Sequence, residues 1–136
     1  MPKILIVDDD ADFRGVSRLS LEAAGFDISE AADADEGYRK VQSEKPDLVI
    51  LDVLMPSEYE GFELARRIRT ELGLRELPIL MLTAVHDVKQ PPFRFVPDET
   101  YLPVDAFIDK PAPPEVLIRK IREMLSLHRE EPKEPL

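Results

Sequence analysis

The chain has 136 residues, 43% of them hydrophobic, which suits one domain with a proper core and argues against wholesale disorder. A formal net charge of −10 disfavours nucleic acid or an anionic membrane as a partner, because both call for a basic face. The absence of cysteine excludes disulfides and thiolate metal sites, fits a reducing cytoplasm, and joins the absence of any apolar run near the ~20 residues of a membrane span or of a signal-peptide pattern.

"KILIV", Lys3 to Val7, is an apolar β-branched run that reads as a strand buried on both faces. Asp8, Asp9 and Asp10 follow it directly. Like charges this close repel, so a positive partner is expected there. Asp12 to Ala24 reads as a helix, with Phe13, Val16, Leu19 and Ala23 as its apolar stripe and Gly25 as its end. Asp10 and Asp12 suit caps of that helix. "FDISEA", Phe26 to Ala31, is a short strand. Asp33 or Asp35 could cap a second helix reaching about Ser43, before Pro46.

"DLVILD", Asp47 to Asp52, is a second apolar strand that ends in aspartate. Gly61 to about Leu72 is a helix, with Phe62, Ala65, Ile68 and Leu72 on one side. "PILMLT", Pro78 to Thr83, and "DAFID", Asp105 to Asp109, are further buried runs. Pro113 or Pro114 opens the last helix, whose stripe is Leu117, Ile121, Met124 and Leu125. The expected division is a domain over 1–128 and a frayed, charged tail over 129–136.

Strands alternating with helices argue for a parallel sheet covered on both faces, with the site beyond the carboxyl ends of the strands. Asp8/Asp9, Asp52, Thr83 and Lys110 would then converge on one edge. Alone, paired aspartates after a strand make a cap or a solvated turn, and a threonine or lysine at a strand end is structural. Their joint placement favours chemistry. An acidic, oxygen-rich site suits Mg²⁺, and an aspartate beside Mg²⁺ and a lysine can attack phosphorus to form an acyl phosphate. Thr83 offers a hydroxyl to a phosphoryl oxygen.

"ILIVDDD", "LVILDVLMP", "ILMLTA" and "FIDKP" together resemble the response-regulator receiver domains of two-component signalling, over about Pro2 to Leu127. The resemblance implies an α/β fold: a doubly wound, flavodoxin-like parallel sheet of five strands in the order 2-1-3-4-5, flanked by helices. It implies that Asp52 is the phosphoacceptor. Asp8 and Asp9 match the acidic pair, Asp9 being preferred as the direct Mg²⁺ ligand, and the backbone carbonyl of Leu54 would be a further ligand. Thr83 matches the switch hydroxyl, Ala84 the small residue that leaves room for the phosphoryl group, and Lys110 the family lysine. Pro111 falls where the family has a cis bond, and Phe107 at the aromatic switch. The implied role is a non-enzymatic, cytoplasmic signalling module. It would be phosphorylated by a sensor histidine kinase or phosphotransfer protein and read by a downstream protein. No membrane, and no nucleic acid through this domain, would be involved.

The segment from Ala84 to Asp109 departs from the pattern. Pro91, Pro92, Pro97 and Pro103 forbid a regular helix where the family has its fourth, so a long loop is expected. Phosphorylation would reorder His86 to Pro103 and expose or hide Phe93, Phe95 and Tyr101. "PSEYEG", Pro56 to Gly61, is one residue longer than the common form. With no output domain after the last helix, either the chain acts by binding a partner or it is part of a larger protein. Two other readings compete. A receiver-like scaffold would never be phosphorylated. A haloacid-dehalogenase-like phosphatase would also use aspartate, Mg²⁺, threonine and lysine, but needs a later acidic pair, and no aspartate follows Asp109.

Overall fold

The computed structural model describes residues 1–52, 60–83, 104–109 and 113–130. In chain order the elements are β1 (Lys3–Val7), α1 (Ala11–Ala23), β2 (Asp27–Ala31), α2 (Ala34–Glu44), β3 (Leu48–Asp52), α3 (Glu60–Thr70), β4 (Ile79–Thr83), β5 (Ala106–Asp109) and α4 (Pro114–Glu130). The strands form one sheet in the order β2-β1-β3-β4-β5, with every neighbouring pair parallel. The expected order is therefore the observed one.

Alternation along each strand sorts the core into two layers. Leu5, Val7, Val49, Leu51, Ile79 and Met81 face α2 and α3, where Val41, Phe62, Leu64, Ala65 and Ile68 cover them. Ile4, Ile6, Ile28, Leu48, Ile50, Leu80 and Leu82 face the other way, under Leu21 of α1 and Leu117, Ile121, Met124 and Leu125 of α4. Burial on both faces is why these strands read as continuous apolar runs rather than alternating ones.

The helices start where acidic caps put them. Asp10 caps α1, its Oδ1 accepting from the amides of Asp12 at 3.0 Å and Phe13 at 3.1 Å. Asp33, not Asp35, caps α2 and accepts from the Glu36 amide at 2.8 Å. Glu36 in turn accepts from the Ala32 amide at 2.9 Å. Such caps satisfy amides that the first helical turn leaves open. Gly25, at φ +101°, turns the chain out of α1. Pro114 is the first residue of α4, where its missing N–H costs nothing. That helix continues to Glu130, two residues into the segment expected to fray.

One expectation about α1 is corrected. Its buried residues are Ser17 and Leu21, whereas Val16 is 60% and Leu19 72% exposed. The stripe is shifted by about one residue, with Phe13 and Ala24 packed at its margin. The proline-rich segment that would replace a fourth helix lies outside the described residues, as do Phe93, Phe95 and Tyr101.

Candidate phosphoacceptor and metal site

Sheet register builds the site. Val7 of β1 lies opposite Leu51 of β3, so the next residues, Asp8 and Asp52, leave adjacent strands side by side. Neighbouring strands lie about 4.8 Å apart, which alone brings the two carboxylates close. The side chains of Asp8, Asp9 and Asp52 each present an oxygen, and these oxygens lie within 4.8 Å of one another. Asp8 and Asp52 are buried, at 1% and 5% exposure, and Asp9 is exposed. The trio thus joins two buried carboxylates to one exposed carboxylate.

Asp8 is held at several points. Its amide donates to the Ala31 carbonyl at 3.1 Å, extending the β1–β2 ladder by one bond. Its Oδ1 accepts from the Asp10 amide at 2.9 Å. Its carbonyl accepts from Arg14 Nη1 at 2.7 Å. The sequence reading missed Arg14. Its only sequence signal was an arginine one turn into the helix that follows the acidic run.

The donor set fits Mg²⁺. Three carboxylates converge, two of them taken from water, and no soft ligand is among them. Hard divalent cations take such oxygens, and Mg²⁺ retains waters on its open side. A cation there would also offset the repulsion within the trio.

The other expected residues are placed in part. Thr83 is the last residue of β4, one beyond Leu82, which lies opposite Asp52. Phe107 sits in β5 opposite Met81, half-buried against the α2–α3 layer. Asp109 ends β5, opposite Thr83. Strand ends at β1, β3, β4 and β5 therefore share one edge of the sheet. Leu54, Ala84, Lys110 and Pro111 lie outside the described residues.

Known proteins share this fold. A receiver domain protein of Methanospirillum hungatei, described as CheY-like, superposes with a TM-score of 0.79 at 28% identity, over 96% of this chain and 98% of that one. The chemotaxis response regulator CheY4 of Vibrio cholerae gives 0.77 at 31% identity, over 91% and 98%. Among curated relatives, the DNA-binding dual master transcriptional regulator RpaA of Synechocystis is 31% identical over 125 residues, which are 92% of this chain and 49% of that protein. The phosphate regulon transcriptional regulatory protein PhoB of Pseudomonas aeruginosa is 33% identical over 122 residues, 90% of this chain and 51% of that protein. The chain thus spans about half the length of these regulators. The family model described as response regulator receiver domain matches residues 4–122, and with that sheet order and acidic edge the chain belongs to the response regulator receiver domain family of two-component signalling.

Proposed function

We propose that this domain accepts a phosphoryl group on Asp52 in a Mg²⁺-dependent reaction and thereby switches a surface read by another protein. The observation that carries the reading is the buried Asp52 carboxylate, within 4.8 Å of the Asp8 and Asp9 oxygens. An Asp52 oxygen attacks phosphorus, forming the acyl phosphate, while the bond from phosphorus to the donor breaks and the donor leaves with the electron pair. Asp8, Asp9, Asp52 and the Leu54 carbonyl would hold Mg²⁺, which supplies positive charge for the phosphoryl oxygens. Lys110 and the Thr83 hydroxyl serve the same oxygens, and Ala84 leaves them room. Phe107 responds as Thr83 moves, and Pro111 shapes the chain after Lys110.

The donor in this reading is a sensor histidine kinase or phosphotransfer protein, and the receiver of the signal is a protein. A cytoplasmic setting belongs to the same reading. Among the described residues no helix is long and apolar enough to cross a membrane.

Incubation with acetyl phosphate, followed by mass spectrometry, tests the proposal. We expect one phosphoryl group on Asp52, lost in Asp52→Asn and on adding a chelator. Equal labelling of Asp52→Asn would move the acceptor elsewhere. No labelling of the wild type with Mg²⁺ present would favour the unphosphorylated scaffold.

A further inference from the structure

Arg14 stands one turn into α1 and its side chain is only 16% exposed. It makes bonds in two directions. Nη1 donates to the main-chain carbonyl of Asp8 at 2.7 Å. Nε donates to Glu30 Oε1 at 3.0 Å, at the far end of β2. Glu30 is itself held. Its Oε2 accepts from Arg18 Nη1 at 2.9 Å, and its main-chain carbonyl accepts from Lys40 Nζ of α2 at 2.5 Å.

The Asp8 carbonyl belongs to the peptide that joins Asp8 to Asp9. Peptides are planar, so fixing that oxygen fixes the plane and the direction in which Asp9 leaves the strand. Asp9 is the exposed member of the trio and lies two residues beyond the end of β1. We propose that Arg14 is a positioning residue for the metal: by bridging Glu30 to the Asp8 carbonyl, it sets the Asp8–Asp9 peptide and so aims the Asp9 carboxylate at Mg²⁺. The inference rests on the metal reading above.

Two other roles predict different results. A guanidinium acting only as a nearby charge would repel a cation, so removing it would tighten Mg²⁺ binding. A purely structural arginine would lower stability and leave metal affinity alone. Positioning predicts weaker binding. Outer-shell partners of metal ligands are commonly worth roughly ten- to a hundredfold in affinity, and the lower end applies to a contact made through the backbone.

Calorimetric titration of Mg²⁺ into the whole chain separates these roles. We expect Arg14→Gln to bind Mg²⁺ about tenfold more weakly than wild type. Arg14→Lys keeps the charge but lacks the planar fork that reaches both partners, so it should also be weakened. Arg18→Gln removes the other arginine on Glu30 without touching Asp8, and should bind as wild type does. If Arg14→Gln does not fold, Arg14→Lys and Glu30→Gln carry the test. Affinity within twofold of wild type, or tighter, in folded Arg14 variants would overturn the inference while leaving the metal site standing. A wild type that takes up no Mg²⁺ would overturn both.

Discussion

Asp9 shows how a single residue can trade stability for binding. Its carboxylate stands within reach of two buried ones, and in the absence of metal the three repel. Exposure screens part of that repulsion. Asp9→Asn should therefore raise the stability of the metal-free protein, by about 1 kcal/mol for a modestly relieved like-charge site, while weakening Mg²⁺ binding. Chemical denaturation in the presence of a chelator checks this, and a lower midpoint for the variant would contradict it. The meeting of Asp8 and Asp52 was legible in the sequence because each closes an apolar run, and Asp9 came with them as the next residue after Asp8. Arg14 was not legible. Its partner Glu30 is sixteen residues away, and the pair meets only because β2 lies beside β1 in the sheet.

At the scale of elements, α1 is where periodicity misled. Apolar residues stand at Phe13, Val16, Leu19, Leu21, Ala23 and Ala24, so two stripes one residue apart both satisfy helical spacing. Which stripe is buried depends on how the helix meets the sheet and α4, where Arg122 Nη2 donates to the Ala24 carbonyl at 3.1 Å. In α3 and α4 the expected Phe62, Ala65, Ile68, Leu117, Ile121, Met124 and Leu125 are all buried. Helix α2 approaches closely at Gly37, where a Cβ would stand 3.0 Å from a Val7 methyl and 3.1 Å from a Leu64 methyl. The residues that α1 leaves outside bear on the proposed function. Val16 and Leu19 lie about 9 and 13 Å along the axis from the Asp10 cap, at 1.5 Å per residue. In the proposed function a protein phosphodonor comes to the acidic edge where that helix begins, and Val16 and Leu19 are exposed apolar residues of the same helix. We expect Leu19→Asp to slow phosphoryl transfer from a phosphorylated protein donor about tenfold, a loss of ~1.4 kcal/mol of docking. Labelling by acetyl phosphate, which needs no docking, should be unchanged. Equal slowing with both donors would place the effect in the site itself.

For the whole molecule, parallel order is what turns scattered residues into one edge: β1, β3, β4 and β5 are consecutive in the sheet, so their ends meet. The same edge gathers negative charge on a chain already at −10, and acid affects the molecule in two opposing ways. Protonation lowers self-repulsion, which favours the fold. It also removes carboxylates that the fold holds in specific bonds. Glu30 is kept below the usual carboxylate range by its hydrogen bond from Arg18 and then by that from Arg14. Glu36 is kept low by the Ala32 amide and then by Lys40. For a carboxylate lowered in this way, the unfolded chain takes up the proton first, near its ordinary value of 4.5. Stability from both groups is therefore complete above that pH and is lost as pH falls through the lowered native values. The charge effect is spread over the surface and screened by salt, whereas these bonds tie β2 to α1 and span the β2–α2 turn, so the bonds should win in acid. We expect the urea midpoint of the metal-free protein at 0.15 M salt to stay nearly level from pH 7 to about 5 and to fall below that. Glu30→Gln should start lower at pH 7 and fall less steeply. A midpoint that climbs steadily as pH drops toward 3.5 would mean that repulsion outweighs the paired glutamates, and an unchanged slope in Glu30→Gln would remove Glu30 from the account.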